Sequence, residues 1–406
     1  MHILSVVGAR PNFMKIAPLV RALRAHPRVR HTLVHTGQHY DEAMSASFFR
    51  TLDIPDPDIH LGIGSGTHAE QVGRTMIAFE KVVREQRPDW VVVVGDVNAT
   101  CACAITAAKE HVRLAHIEAG LRSFDPRMPE EINRLVTDRL ANLLFTTDEI
   151  ADANLRAEGV PPEKIRRVGN VMIDTLDVLR PQAEDIDVGA IAGVGENANM
   201  LKTETLKREQ PFQPSSTSPF QPFSLSAFQH LSNDPSYAVM TLHRPSNVDD
   251  RAVLTRLVDY VCGELAAQLP VIWSLHPRTE KRLAEFGLRE RVDACAGLVL
   301  VPPLGYLQML RLNLGARLML TDSGGLQEEC CVIGTPCLTL RENTERPVTL
   351  REHGGVSELV GNDIARIREV LPRMLAETKR PHRPPLWDGH AAERIAQELA
   401  CGGCPE

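Results

Sequence analysis

The stretch Trp90-Val91-Val92-Val93-Val94-Gly95-Asp96-Val97-Asn98-Ala99-Thr100 decides how the rest of this chain is read. Five consecutive apolar, mostly β-branched residues without polar alternation describe a strand buried on both faces. Such strands belong to parallel sheets covered by helices on either side. The exit Gly95-Asp96 then puts a carboxylate at the carboxyl end of that strand, where doubly wound sheets collect their ligands. Asp96 in that position serves as a base, a metal ligand or a helix N-cap.

Working outward, the same kind of run recurs with longer amphipathic stretches between, the pattern of repeated βα units. The first series is Ile3–Val7, Thr32–His35, Trp90–Val94, Leu114–Ile117 and Leu143–Thr146. A second series is Tyr237–Leu242, Val271–Leu275, Leu298–Val301, Leu318–Thr321 and Pro336–Leu340. The expected fold class is therefore α/β, with two Rossmann-like parallel-sheet domains at 1–181 and 237–380. Between them, 182–236 loses periodicity and gains Pro, Ser, Gln and Asn. Gln210-Pro211-Phe212-Gln213-Pro214 is echoed by Pro219-Phe220-Gln221-Pro222-Phe223, and four of the eleven Phe lie here. That composition predicts a disordered insertion; a docking segment is the alternative. The last part, 381–406, reads as a loop, a helix from Ala391 to Leu399 and a tail. Cys401-Gly402-Gly403-Cys404 has no second ligand pair, so no metal is expected.

Composition narrows the function. With 45 Lys+Arg against 52 Asp+Glu in 406 residues the formal charge is −7, without the basic surplus of a nucleic-acid binder. No run of about 18 apolar residues suggests a membrane span. No basic region precedes a cleavable apolar stretch at His2–Val7. Nine cysteines, one necessarily unpaired, do not read as a disulfide framework. The expectation is a reduced, cytoplasmic protein with no nucleic-acid or membrane partner.

Residues just past the strands carry the chemistry. Gly8-Ala9-Arg10-Pro11-Asn12-Phe13-Met14-Lys15 sets Arg10 and Lys15 at a turn entering a helix, suited to an anion beside the positive helix end. It is not a G-x-G-x-x-G fingerprint, which disfavours a dehydrogenase. Glu118 follows the Leu114–Ile117 strand, and Pro129-Glu130-Glu131 opens a Pro-initiated helix. Carboxylates at strand ends supply acid/base groups for proton transfer, whereas Glu131 by itself reads as a helix-dipole acid. His243-Arg244 and His276-Pro277-Arg278 place imidazole and guanidinium side by side after two strands, suggesting an anion or leaving-group role. In Thr321-Asp322-Ser323-Gly324-Gly325-Leu326-Gln327-Glu328-Glu329 a strand runs into Ser-Gly-Gly and a helix. Glycines admit a ligand to the backbone, free helix N–H groups bind phosphate oxygens, and Glu329 suits ribose hydroxyls. The reading is nucleotide diphosphate without metal.

These segments, in order GARPNFMK, TGQH, VVGDVNAT, AHIEAGLRS, MPEEINR, TLHRPSN, LTDSGGLQEE and NTERP, resemble the non-hydrolysing UDP-N-acetylglucosamine 2-epimerases over nearly the whole chain outside the insertion. The resemblance implies a GT-B-like architecture, with two domains facing a central cleft and a C-terminal helix returning to the first. It implies C2 epimerisation of UDP-GlcNAc to UDP-ManNAc by elimination of UDP to 2-acetamidoglucal and re-addition, feeding surface polysaccharide synthesis. It further implies no cofactor and a homodimer. On matching positions it makes Asp96 and Glu118 the groups for proton transfer at C2, Glu130 a support for the cationic sugar, and His243 an aid to phosphate departure. Arg10 and Lys15 would face the diphosphate or sugar, Ser323, Gly324 and Gly325 the diphosphate, Glu329 the ribose, and Arg346 the ligand across the cleft. Thr36-Gly37-Gln38-His39 resembles a region where some members bind a second UDP-GlcNAc as activator, although the residues after it differ. Leu304 and Met309 stand where members place Gln and Phe around the uracil. Other readings are a 2-epimerase of UDP-2,3-diacetamido-glucuronic acid, a GT-B glycosyltransferase using UDP-GlcNAc, a non-enzymatic nucleotide-sugar sensor and a hydrolysing epimerase. The Arg-Pro of Thr344-Glu345-Arg346-Pro347 favours UDP-GlcNAc over the diacetamido sugar.

Overall fold

The computed structural model describes residues 1–8, 10–37, 52, 54–193 and 236–401, with Arg10 and Pro11 as backbone only. The Gln-Pro-Phe repeats of the insertion, Gln38, His39 and Cys404 lie outside the described residues. The chain divides into two compact units. The first is Met1–Val178 with Glu345–Val348 and Arg383–Glu406; the second is Leu179–Thr344 with Thr349–His382.

Seven parallel strands form the sheet of the first unit: β1 (His2–Val7), β2 (Arg30–His35), β3 (Ile59–His60), β4 (Trp90–Val94), β5 (Arg113–Ala119), β6 (Leu143–Thr146) and β7 (Ile165–Arg167). Their order is β3-β2-β1-β4-β5-β6-β7. The valine run is the middle strand and is buried throughout. It pairs Leu4 with Val91 on one side and Val93 with His116 on the other. Burying each of these valines contributes about 1.5–3 kcal/mol. The order reverses at β1 and β4, so the switch point, where crevices open in such sheets, lies beside the helix Arg10–Arg24 and the Gly95-Asp96 turn.

The second unit repeats the plan with six parallel strands: β8 (Ala238–Thr241), β9 (Val271–Ser274), β10 (Leu298–Val301), β11 (Leu318–Thr321), β12 (Cys337–Thr339) and β13 (Ser357–Leu359), ordered β10-β9-β8-β11-β12-β13. Its switch point lies at β8 and β11, whose exits carry His243 and Asp322-Ser323. Trp273 and the leucines of the helix Arg251–Tyr260 fill the core on one face of the sheet. Each strand expected from the sequence is present. The three that were not anticipated, β3, β7 and β13, are edge strands of two or three residues, too short and too polar (Arg166-Arg167, Ser357-Glu358) to show a pattern.

The expected last helix, Ala391–Ala400, lies in the first unit. Asp174 accepts hydrogen bonds from the Ala391 and Ala392 N–H groups at 3.1 and 2.7 Å and so caps it from another helix. The Trp387 indole, fully buried, donates to the Thr147 carbonyl at 2.9 Å. Burial pushes the Asp174 carboxyl up to about 6 despite the two backbone donors. Between about pH 4 and 6 the folded chain holds a proton that the unfolded chain has released. Stability attributable to this group therefore falls as pH rises through that window, by about 3 kcal/mol in all. Asp174→Asn should remove that slope. The stability difference between wild type and variant, from urea unfolding at pH 4 and 6.5, checks it; a difference that does not change with pH would refute the assignment.

Candidate active site

In the first unit the site is built on a backbone irregularity. The β5–β6 register shifts between Ile117 and Ala119, so Glu118 is bulged out of the ladder. Its φ is +69°, a left-handed conformation that costs a glutamate of order 1–3 kcal/mol and that re-aims its side chain. The carboxylate is 2% exposed. One oxygen, Oε2, accepts from Lys15 Nζ at 2.5 Å and lies 3.9 Å from Arg346 Nη2. The other, Oε1, meets no hydrogen-bond donor among the described residues. Gly95 makes this proximity possible. At φ +68°, a Cβ there would stand 3.2 Å from Lys15 Nζ and 3.6 Å from Glu118 Oε2.

Asp96 is bound into a second arm of the same network. Its Oδ2 accepts from Arg134 Nη1 at 2.5 Å, and its backbone carbonyl accepts from Asn133 Nδ2 at 2.8 Å. It does not cap the helix Asn98–Lys109, whose N-cap is Val97. Glu345 pairs with Arg346, and its charge also acts on Arg134, so the carboxylates of Asp96 and Glu118 belong to one chain of alternating charges. Glu131, expected as a helix-dipole acid, stands in the first turn of the helix Pro129–Leu140 and also clamps the preceding loop. It accepts from the Ser123 and Phe124 N–H groups, both at 3.0 Å, and from Arg134, holding the loop after β5 in place. Burial pushes its carboxyl up, but the Ser123 N–H and Arg134 outweigh this and hold it below the usual range. Glu130 stands half-buried in the first turn of the helix Pro129–Leu140. The side chain of Arg10 lies outside the described residues.

Beneath these turns is a buried cluster that the sequence reading missed. His116 is wholly inaccessible; Nδ1 donates to Asp138 Oδ1 at 2.6 Å and Nε2 to the Gly95 carbonyl at 2.9 Å. Asp138 also accepts from the Gly120 N–H at 3.0 Å and from Arg122 at 2.7 Å. Burial pushes the Asp138 carboxyl up, but His116 and Arg122 prevail and keep it below its ordinary range.

In the second unit Asp322 plays the comparable part. Fully buried, it accepts from the backbone N–H groups of His243 (3.0 Å) and Arg244 (2.9 Å), from Asn247 Nδ2 (3.0 Å), and from His243 Nδ1 (2.7 Å). The His243 side chain is 39% exposed, so Nε2 is the nitrogen available for chemistry. Arg244 Nε donates to the Asp322 carbonyl at 2.9 Å. The second His-Arg pair is engaged locally. His276 caps the helix Pro277–Glu285 by accepting from the Arg278 N–H, and Arg278 pairs with Asp249.

Ser323 is the N-cap of the helix Gly324–Ile333 and its side chain makes no capping bond to the first-turn N–H groups. Glu329 lies deeper on that helix, buried beside Tyr306 and Asn313. Burial, with Glu328 adjacent, pushes its carboxyl up to about 8. Leu304 and Met309 are half-buried and pack with Leu326 on the core next to this helix.

Burial would raise the Asp322 carboxyl, but the His243 hydrogen bond and charge, with the backbone donors, hold it at about 2. The resulting stability, about 2 kcal/mol, is complete above the unfolded value near pH 3.8 and is lost as pH falls toward 2. Asp322→Asn should therefore cost about 2–3 kcal/mol at pH 7, read from urea unfolding, and loosen His243. A cost below 0.5 kcal/mol, roughly the size of an ordinary surface change, would show that the clamp is not formed.

Among known proteins, the family model described as UDP-N-acetylglucosamine 2-epimerase matches residues 21–210 and 216–400. The UDP-N-acetylglucosamine 2-epimerase of Methanocaldococcus jannaschii is 39% identical over 404 residues, covering 99% of this chain and 100% of that protein. The UDP-2,3-diacetamido-2,3-dideoxy-D-glucuronate 2-epimerase of Pseudomonas aeruginosa is 36% identical, covering 98% and 99%. A crystal structure of the M. jannaschii enzyme in complex with UDP-GlcNAc and UDP superimposes with a TM-score of 0.82 at 37% identity, covering 99% and 100% of the two chains. With its two Rossmann-like units of the GT-B type, this chain belongs to the UDP-N-acetylglucosamine 2-epimerase family and is an epimerase.

Proposed function

We propose that the enzyme interconverts UDP-GlcNAc and UDP-ManNAc by inverting C2, through elimination of UDP to 2-acetamidoglucal and re-addition. The observation that carries this reading is Glu118: one carboxylate oxygen is anchored by Lys15, and the other meets no donor among the described residues. C2–H is not next to a carbonyl in the sugar ring, so direct deprotonation is hard. Loss of UDP builds positive charge at C1 and acidifies the neighbouring proton. In this account Glu118 and Asp96 move the proton on the two faces of C2, and Glu130 stabilises the cationic sugar. His243, oriented by Asp322, assists departure and return of the phosphate. Lys15, Arg10 and Arg346 neutralise the diphosphate or the sugar. The helix start at Ser323, Gly324 and Gly325 binds the diphosphate, and Glu329 binds the ribose.

The P. aeruginosa relative supports a second reading, the 2-epimerisation of a UDP-diacetamido-glucuronic acid. The M. jannaschii relative is the more similar of the two and favours UDP-GlcNAc. Surface polysaccharide assembly is the proposed use of the product, and the cytoplasm the proposed location. A homodimer is the proposed assembly; exposed Ile77, Ile132 and Leu135 on the helices His68–Gln86 and Pro129–Leu140 offer an apolar surface for it.

Proton NMR of UDP-GlcNAc with the enzyme in D2O, without metal, tests the reaction. UDP-ManNAc should appear with deuterium at C2 of both epimers; intact C2–H alongside tight binding would sink the UDP-GlcNAc assignment. Asp96→Asn and Glu118→Gln should each lower kcat roughly 10²–10⁴-fold while UDP still binds. Normal turnover would remove that residue from proton transfer. A carboxyl that titrates near 8 is neutral at pH 7. Glu329→Gln should therefore keep UDP affinity within about threefold, whereas Glu329→Ala should weaken it roughly tenfold, as calorimetry would show. Equal losses in the two variants would contradict a hydrogen-bonding role.

A further inference from the structure

Two cysteines from separate elements meet at the amino-terminal ends of β9 and β10, the opposite end of the second sheet from His243 and Ser323. Cys262 belongs to a turn of π-helix, Val261–Leu265, which continues the helix Arg251–Tyr260. Cys295 lies just ahead of β10. The Cys295 thiol donates to the Cys262 backbone carbonyl at 3.8 Å, and each sulfur lies within electrostatic reach of the other. Both are free and half-buried, whereas Cys101, Cys103, Cys330, Cys331 and Cys337 are buried.

Two further observations set this pair apart. A π-turn accommodates one residue more than α-helical spacing allows, a rare departure that concentrates at functional positions. The two segments also pack backbone against backbone: a Cβ on Gly297 would lie 2.1 Å from the Ala266 carbonyl oxygen, so the thiols are held together by the fold. Both cysteines line a surface pocket of about 530 Å³ with Ala266, Arg291 and Gly297, which gives a small reagent access.

We propose that Cys262 and Cys295 form a reversible intramolecular disulfide, a thiol-modification site separate from the active site. The co-reactant is a low-molecular-weight disulfide. Cys295, as its thiolate, attacks one sulfur of that disulfide and expels one thiolate. Cys262 then gives up its proton, and its sulfur displaces the second small thiolate from Cys295. Two protein thiols become one disulfide, and one small disulfide becomes two thiols. Burial, with Cys295 beside it, pushes the Cys262 thiol up, which favours Cys262 as the thiol that resolves the mixed disulfide.

The full chain, incubated with oxidised glutathione and mapped by non-reducing tryptic mass spectrometry, tests this directly. The expected product is a linked peptide carrying Cys262 and Cys295, two hydrogens lighter than its parts and restored by dithiothreitol. Oxidation should also raise the melting temperature by about 5 °C. That shift should be absent from Cys262→Ser and Cys295→Ser, and epimerase activity should be unchanged. The linked peptide is read on wild-type protein, so it does not depend on either variant folding. Separate glutathione adducts without a link, or no reaction while exposed Cys401 is oxidised, would overturn the proposal.

Discussion

A buried carboxylate beneath a strained turn is the constraint on which the first unit depends. Asp138 is buried, and its charge is tolerated because His116, Arg122 and the Gly120 N–H all donate to it. Through His116 it fixes the Gly95 carbonyl, and through Gly120 it fixes the exit from β5. Glu118 sits between those points in a conformation that an isolated peptide would leave. The network over-determines the backbone, and the strain is held rather than relaxed.

The second unit solves the same problem with different groups. Asp322 follows β11 directly and takes the backbone N–H groups of the neighbouring β8 exit, together with the His243 ring. One carboxylate thus couples the two strands that flank the switch point and selects which imidazole nitrogen is presented outward. In both units a buried acid with several donors organises a turn at a strand end, beside Glu118 in one and beside His243 in the other. Removing one partner from such a cluster is costlier than the cluster's net contribution, because the remaining charge is left without donors.

The amino-terminal end of the second sheet has another character. There the chain places small residues, a π-turn and two adjacent thiols, away from the charged turns at the carboxyl ends. A parallel sheet keeps these two ends distinct by construction, since its strands all point the same way.

Much of this was legible in the chain. Continuous apolar runs such as Trp90–Val94 announce parallel strands because a strand buried on both faces has no polar side to show. Gly95, Asp96, Glu118 and Ser323-Gly324-Gly325 stand directly after such runs, so their position at the strand ends follows from sequence order. What lay beyond reach were partners far apart in the chain. That Asp96 meets Arg134, that Glu118 meets Lys15 and Arg346, and that Asp322 rather than a nearer acid orients His243 depend on strand order and helix packing. His276-Pro277-Arg278 shows the limit from the other side, since the same residue pair proved to be a helix cap and a salt bridge. Sequence determined which elements form and which residues stand at their ends, because hydrophobic periodicity and turn chemistry are local. Tertiary structure alone decided which charges pair and which carboxylate oxygen stays unpaired, because those depend on burial and on contacts more than a hundred residues apart in the chain, as between Lys15 and Glu118.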